Sequence, residues 1–272
     1  ADLVRRGEVT PLELVETALR RIDRVNPRLN AVVTRMDDEA RRLATGPMSA
    51  GPFAGVPFLL KDLLAEYQGV RMTEGSAFLE GYVAPHDSEL VARYRRAGLI
   101  VVGKTNTPEF GILPTTEPRL FGGARNPWSL GRTPGGSSGG SAAAVTLGLV
   151  PLATGSDSGG SLRIPASYCG LVGFKGTYGR IPRGPLYVGL PNVRNYGALA
   201  RTVADVTRFL DCVVGYDERH PLSLPPPGFS YEQRVPAGWS ADRNYKRFDI
   251  GRFLLVSSEG LYVVESDGRC SW

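Results

Sequence analysis

The stretch 133-TPGGSSGGSAAAVTLGLVPLATGSDSGGSLRIPA-166 guides the interpretation of the whole chain. It contains two loops rich in serine and glycine, separated by an apolar segment long enough for a helix and a strand. Such an apolar segment argues against a flexible Gly/Ser linker. The stretch contains no histidine or cysteine beside its serines. We therefore expect two ordered loops whose hydroxyl groups are activated by a base from elsewhere in the chain.

The sequence around this stretch alternates predicted helices and apolar strands. A helix is expected to begin after Thr10, because Thr10, Pro11 and Glu13 fit a capping box with proline at the first helical position. We expect it to end before 26-NPRLN-30, because proline disfavours a helical conformation in the preceding residue. Strands are also predicted at 55–64 and 100–105, and helices at 88–99 and 140–150. This alternation predicts an α/β fold with helices on both faces of the sheet.

Composition excludes several classes of protein. The 272 residues are 42% hydrophobic, as in a globular chain with a packed core. The net charge of +5 is spread along the sequence, so we expect no nucleic-acid partner. Three distant cysteines and two histidines form no disulfide or zinc pattern, so no metal or cofactor is expected. The chain has no membrane-length apolar run and begins with charged residues, which predicts a cytoplasmic protein without a membrane partner.

Two short motifs point to other functions. Residues 98–105 fit the phosphate-binding pattern G-x-x-x-x-G-K-[ST], but the residues between the glycines are apolar and favour a strand. The nucleophile-elbow pattern G-x-S-x-G occurs at Ser137 and again at Ser138. An α/β-hydrolase-type esterase therefore stays open as an alternative. It would need a histidine after its serine, and His220 is the only histidine in that part of the sequence.

Four segments in this order resemble the amidase signature family. They are 55-GVPFLLKDL-63, 101-VVGKTNTPEFG-111, 135-GGSSGGSAAAV-145 and 155-GSDSGGSLRIPASYCGLVGFKGTYGRIP-182. The resemblance extends from the Thr10 helix to about residue 215 and implies the fold of that family, a mixed central β-sheet covered by helices on both faces. We expect residues 1–220 to form this core. Residues 221–272 would then be a proline-rich connector and an atypical C-terminal tail, with two strands in 253-FLLVSSEGLYVV-264.

The resemblance implies a catalytic triad of two serines and one lysine. Ser161 takes the place of the nucleophile, Ser137 that of the bridging serine with its cis peptide bond, and Lys61 that of the base. Ser161 follows Ser137 by 24 residues, as in the family, which favours Ser137 over Ser138. A lysine can act as a base if burial keeps it neutral near pH 7, and Lys61 follows the apolar run VPFLL.

The second serine loop is expected to stabilise the charge that develops during catalysis. By resemblance, the backbone N–H groups of Ser158, Gly159 and Gly160 form the oxyanion hole, and glycine lets the backbone turn toward one point. Asp157 and Arg163 flank the nucleophile, and we expect them to shape the loop as an ion pair. Cys169 is expected to be a packed thiol, because its neighbours are apolar.

Together these features predict a serine amidohydrolase. The reaction would be hydrolysis of a carboxylic amide, and also of esters or carbamates, through an acyl-enzyme on Ser161. The expected partner is a small-molecule amide, ester or carbamate, and the resemblance leaves room for a homodimer. Family members are usually longer than this chain. Three alternative functions therefore stay open: the esterase, an amidotransferase A-type subunit and a catalytically inactive truncated fragment.

Overall fold

The computed structural model describes residues 1–185 and 194–235 in full, and the backbone of three short strands after them. The helices are α1 (Asp2–Arg5), α2 (Pro11–Leu29), α3 (Asp37–Thr45), α4 (Glu89–Arg96), α5 (Gly139–Thr146), α6 (Arg163–Cys169) and α7 (Val203–Val213). The strands are β1 (Val32–Arg35), β2 (Val56–Lys61), β3 (Leu99–Thr105), β4 (Leu152–Asp157), β5 (Val172–Gly173), β6 (Asn195–Ala200), β7 (Phe253–Ser257), β8 (Gly260–Val264) and β9 (Cys270–Ser271).

The first six strands form one mixed sheet in the order β1-β3-β2-β4-β6-β5. Strand β2 runs parallel to β3 and β4, whereas β1 and β6 are antiparallel to their neighbours. Parallel neighbours require crossover connections, which contain α4 and α5 here. The carboxyl ends of β2, β3 and β4 therefore meet at one edge of the sheet, where α/β folds place their sites.

Apolar side chains pack on both faces of this sheet. In β2, Phe58 and Leu60 belong to one buried cluster together with Tyr94 of α4 and Phe209 of α7. Leu59 points to the opposite face and joins a second cluster, to which α2 and α5 contribute. This alternation follows from the two-residue period of a strand. The prediction of a mixed α/β sheet covered by helices on both faces is confirmed.

The predicted end of the first long helix is wrong. Helix α2 continues through Pro27 to Leu29 and is capped by Asn30, whose φ of 51° is left-handed. Proline removes one backbone N–H bond from the helix. The last turn is held nevertheless, because Leu29 is buried and the Asn26 side chain accepts the Ala31 N–H at 2.9 Å.

Other predicted elements are present, several with shorter bounds. The capping box of α2 is confirmed, since Thr10 Oγ1 accepts the Glu13 N–H at 3.1 Å and the Glu13 carboxylate accepts the Thr10 N–H at 2.7 Å. The predicted helix 88–99 ends earlier than expected, because Gly98 turns the chain with a φ of +84° and Leu99 already begins β3. The stretch that matches a phosphate-binding loop is therefore a buried strand.

The segment after residue 220 begins by packing against α7. Arg208 donates from Nε to Glu232 at 2.9 Å, and Asp211 accepts the Ser230 hydroxyl at 2.6 Å. Farther on, β7 and β8 are antiparallel with Ser257 opposite Gly260, which confirms the predicted pair of strands. The division of the chain at residue 220 stays a prediction. Of the helices that the structure describes, none has the length and apolar character needed to cross a membrane.

Candidate active site

The side chain of Lys61 meets the first serine loop at the carboxyl end of β2. Its Nζ donates a hydrogen bond to Ser137 Oγ at 2.6 Å, and both residues are only 1% exposed. The Gly136–Ser137 peptide bond is cis, as the resemblance implies. The structure thus brings together two residues that lie 76 positions apart in the sequence.

Glycines allow the first serine loop to lie against its neighbours. A Cβ atom at Gly136 would lie 2.4 Å from the Thr115 carbonyl oxygen, and one at Gly140 would lie 2.5 Å from the Asn106 nitrogen. Any larger residue would push these backbones apart, which is the close approach for which glycine is used. The loop is thereby fixed between the 106–116 segment and the start of α5.

The second serine loop is joined to the first through the backbone. The Ser138 N–H donates to the Ser161 carbonyl at 3.2 Å. Among the hydrogen bonds of the described residues, no bond links the Ser137 and Ser161 hydroxyls directly. Ser161 is half-buried, whereas Ser137 and Lys61 are buried. A substrate could therefore reach Ser161 from outside while the pair behind it stays away from water.

Asp157 organises the turn that carries Ser161. It forms an ion pair with Arg163 (Nη2 to Oδ1, 2.9 Å) and accepts the backbone N–H groups of Gly160 at 2.8 Å and Leu162 at 3.1 Å. Burial alone would raise the pKa of Asp157, but the Arg163 guanidinium and these N–H groups hold it below its ordinary value. The ion pair predicted from the sequence is present.

One predicted oxyanion donor conflicts with this arrangement. The Gly160 N–H already donates to Asp157 Oδ1, so it is not available to a developing oxyanion in this geometry. Ser158 is half-buried and Gly159 is exposed, and the hydrogen bonds of the described residues include none from either N–H group. Ser158 and Gly159 therefore stay the predicted donors, and Gly160 serves the turn, where its φ of 121° suits only glycine.

Burial and a nearby cation act on the ionisation of Lys61. Burial is the larger cause and the positive charge of Arg194 the second, and together they lower the pKa of Lys61 from 10.5 to about 7. Among the described residues, Lys61 Nζ donates hydrogen bonds only to hydroxyl groups, those of Ser137 and, at 3.0 Å, Ser156. A lysine of this kind can accept a proton near neutral pH.

Sequence reasoning missed Ser156. The residue lies in the quoted stretch, one position before Asp157 on β4. Its role depends on β4 lying beside β2, with Leu59 opposite Ala153. Strand order of this kind cannot be read from the spacing of residues in the sequence. A serine near the end of an apolar strand was the only signal available.

We expect Ser156→Ala to slow acylation of Ser161 by about 5- to 10-fold, because Lys61 loses one of two hydrogen bonds and a typical bond contributes about 1 kcal/mol. The rate is measured by intact mass after reaction with a fluorophosphonate probe. Ser141→Ala is the matched control, since Ser141 is buried nearby but bonds to the Thr154 carbonyl at 2.7 Å. Equal labelling rates in Ser156→Ala and the wild type would show that Ser156 has no role in the reaction.

The arrangement differs from that of an α/β-hydrolase. His220 lies against Tyr178, with Nε2 3.4 Å from the tyrosine hydroxyl, and burial lowers its pKa. The basic group that contacts Ser137 is Lys61. Cys169 is buried, and this burial raises its pKa to about 12, which confirms the prediction of a packed thiol. The geometry therefore favours lysine rather than histidine as the base.

Two further features of the described residues bear on ligands. Within residues 1–185 and 194–235, no group of three or more His, Cys, Asp or Glu side chains could hold a metal ion. A cavity of about 280 Å³ is lined by apolar side chains, among them Leu64 and Met72, and by the charged residues Glu66, Glu74 and Arg183. None of Lys61, Ser137 and Ser161 lines it. Glu74, whose charge acts on Lys61, is among its lining residues.

Several known proteins are similar to this chain in both sequence and fold. The family model described as Amidase matches residues 13–253. The chain is 46% identical over 240 residues to 6-aminohexanoate-cyclic-dimer hydrolase of Paenarthrobacter ureafaciens, covering 86% of this chain and 48% of that protein. It is 41% identical over 232 residues to the A-type subunit of glutamyl-tRNA(Gln) amidotransferase from Alkalilimnicola ehrlichii, covering 82% and 47%. A solved structure of 6-aminohexanoate cyclic dimer hydrolase complexed with substrate matches with a TM-score of 0.82 and 45% identity, over 86% of this chain and 49% of the other.

The chain spans about half the length of the curated relatives it matches. The family model covers most of the residues of this chain, and the solved relative has the same fold over the part that the two chains share. The cis peptide bond at Ser137 and its contact with a buried lysine lie where the resemblance places them. The chain belongs to the amidase family, that of the amidase signature enzymes.

Proposed function

We propose that this protein is a serine amidohydrolase that cleaves a carboxylic amide through an acyl-enzyme on Ser161. The observation that carries the proposal is the 2.6 Å hydrogen bond between the buried Lys61 Nζ and Ser137 Oγ, next to the loop of Ser161. Serine is a weak nucleophile until a base removes its proton. A lysine with a pKa near 7 provides that base at neutral pH.

In the proposed reaction, protons move along the two serines. Neutral Lys61 accepts the proton of Ser137, which accepts the proton of Ser161 as Ser161 Oγ attacks the carbonyl carbon. The relay then runs in reverse and protonates the leaving amine, so that the C–N bond breaks and an ester remains on Ser161. Water releases the acid by the same two steps. No bond joins the two hydroxyls in the described geometry, so Ser161 must rotate toward Ser137 when substrate binds.

The backbone of the second serine loop would hold the oxyanion. The N–H groups of Ser158 and Gly159 are the donors in this proposal, and losing one such donor typically costs about 3–4 kcal/mol of transition-state stabilisation. The ion pair of Asp157 and Arg163 keeps the turn in place before substrate arrives. Stabilisation of this kind is effective because its donors are already oriented.

We propose a small non-peptide amide as the substrate, with esters and carbamates as further acyl donors. The support is the identity of 46% to a hydrolase of the 6-aminohexanoate cyclic dimer. The relative named as an amidotransferase component is slightly less similar, at 41%. Co-purification with partner chains and tRNA would favour a role as an A-type subunit instead. The cytoplasmic location and the homodimer stay predictions.

The function is tested by reacting the protein with a fluorophosphonate and measuring its intact mass. We expect a single adduct, followed by turnover of arylamide substrates. Because the chain spans about half of its relatives, the inactive truncated fragment is a defined alternative. A folded protein that forms no adduct and hydrolyses no arylamide would support it.

Adduct formation is expected to depend steeply on pH. Lysine must be neutral to act as a base, so the rate should rise about tenfold per pH unit below pH 7 and level off above it, given the Lys61 pKa of about 7. The measurement is the initial labelling rate between pH 5 and pH 9, with circular dichroism showing that the fold is unchanged. A rate that does not vary over this range would contradict a lysine base.

A further inference from the structure

Glu74 lines the cavity of about 280 Å³ described above, in a setting that is unfavourable for a carboxylate. The neighbouring wall includes the apolar side chains of Leu64, Met72 and Leu79. The Glu74 carboxylate accepts the N–H of Leu64, and no ion pair among the residues that the structure describes involves it. Glu74 is half-buried, and burial of a carboxylate without a cation costs free energy. The cavity therefore contains a negative group that a bound cation would stabilise.

The other charged residues of the cavity wall already have side-chain partners. Glu66 accepts the hydroxyl of Tyr82 at 2.8 Å. The Arg183 guanidinium lies over the ring of Tyr178, 5.8 Å from its centroid. Among the charged residues described in this wall, Glu74 is thus the one whose contacts leave its charge for a ligand to balance.

Two nearby cations act on Glu74 without pairing with it. Burial is the largest influence and raises the pKa of Glu74, whereas the positive charges of Arg194 and Lys61 act in the opposite direction. Neither cation forms an ion pair with Glu74 in the described part of the chain. A ligand cation in direct contact would form the stronger, charge-assisted kind of hydrogen bond with this carboxylate.

The backbone around Glu74 adopts conformations that residues with side chains rarely adopt. Leu64, Glu74 and Phe110 have φ values of 56°, 53° and 52°, and they are three of the four described non-glycine residues with positive φ. The Leu64 N–H donates to the Glu74 carboxylate, and the Phe110 N–H donates to the Glu74 carbonyl at 2.8 Å. Strained positions of this kind cluster at binding and active sites, where the surrounding structure holds them. Here the three form one hydrogen-bonded group centred on Glu74.

This group of residues adjoins the candidate active site. Gly111, which follows Phe110, lies against Ser137, since a Cβ atom at Gly111 would be 3.2 Å from Ser137 Oγ. The charge of Glu74 also acts on Lys61. The turn Glu109–Gly111 therefore contacts Ser137 and, through Phe110, the residue that lines the cavity.

We propose that Glu74 determines specificity by binding a cationic group of the substrate, and that the cavity holds the aliphatic chain that carries this group. The substrate class is then an amide whose acyl chain ends in a primary ammonium group. We assign the chain to the acyl part because this part stays bound through both steps of the proposed reaction. The inference rests on the proposed function, in which Ser161 is acylated.

The test compares p-nitroanilides whose acyl chains end in an ammonium, a methyl or a carboxylate group at matched length. The wild type should hydrolyse the ammonium series with a kcat/KM about tenfold or more above that of the methyl series, as a hydrogen bond to a charged group provides. Glu74→Gln should remove this preference, chiefly through a higher KM for the ammonium series. Glu80→Gln is the matched control and should keep it, since Glu80 is exposed and does not line the cavity. Equal hydrolysis of the ammonium and methyl series by the wild type, a preference for the carboxylate, or a preference that survives in Glu74→Gln would overturn the proposal.

Calorimetry on Ser161→Ala separates this inference from the proposed function. We expect 6-aminohexanamide to bind about tenfold more tightly than heptanamide, in which a methyl group replaces the ammonium. This comparison of two ligands remains valid even if Glu74→Gln does not fold. If the binding preference is found while the wild type forms no adduct, the cation site stands and the proposed function fails. If the wild type hydrolyses arylamides but the two ligands bind equally, the inference fails and the proposed function stands.

Discussion

Ser161→Ala is expected to abolish formation of the fluorophosphonate adduct and to reduce amide hydrolysis by at least about a thousandfold. Alanine has no oxygen that could form the ester, and water would have to attack without a covalent intermediate. Ser161 is half-buried and its side chain makes no hydrogen bond among the described residues, so the fold should not change. Intact mass and circular dichroism on the same sample measure both effects.

Ser158→Ala is the matched control for this experiment. It lies three positions earlier in the same loop and is also half-buried, and alanine keeps the backbone N–H that the proposal uses. Labelling should therefore stay close to the wild-type rate. If Ser161→Ala still formed an adduct that Ser158→Ala lacked, the nucleophile would have to be reassigned.

Lys61→Met is expected to abolish labelling at every pH below the range in which serine ionises unaided. Methionine has a similar length but cannot accept a proton, so Ser137 loses its base. The same change should increase stability at neutral pH, because burial disfavours the charged lysine that the unfolded chain carries. Lowering the pKa from 10.5 to about 7 corresponds to a cost on the order of 5 kcal/mol. The buried hydroxyl groups that lose their lysine partner offset part of this gain.

The sign of this effect can be checked by urea unfolding at several pH values. Between pH 7 and pH 10.5 the unfolded chain binds more protons at Lys61 than the folded protein, so the wild type gains stability as pH rises. The difference from Lys61→Met should therefore narrow toward high pH. Lys175→Met is the control, since Lys175 is only half-buried and should affect neither labelling nor this slope. Persistent labelling in Lys61→Met would exclude it as the base.

Much of the local structure, and the contact between Lys61 and Ser137, could be predicted from the sequence. The capping box at Thr10 and the apolar strands follow from patterns within a few residues, which is why they could be predicted. The helix end predicted at Pro27 was wrong because the last turn of α2 is held by a contact outside the helix. The Asn26 side chain accepts the N–H of Ala31, which lies beyond the helix. Propensity rules count the lost hydrogen bond and not the contacts that replace it.

The supporting residues of the site could not be predicted in the same way. Ser156 contacts Lys61 from the neighbouring strand β4, and the order β3-β2-β4 is a property of the folded sheet. The bond from Gly160 to Asp157 is a detail of turn geometry, which decides whether an N–H is available to substrate. Resemblance to a family predicts which residues react, but partners of this kind can be identified only from coordinates.

Lys61, Ser137 and Ser161 come from the end of β2, the loop before α5 and the turn after β4. In the proposed mechanism, Ser161 becomes reactive only when all three segments are assembled, since no single segment carries both the nucleophile and its base. A brief pulse of fluorophosphonate would then mark native molecules and leave unfolded ones unmarked. In a denaturant series, the ratio of the two masses would then report the folded population, so the proposed reaction would serve as an assay of folding.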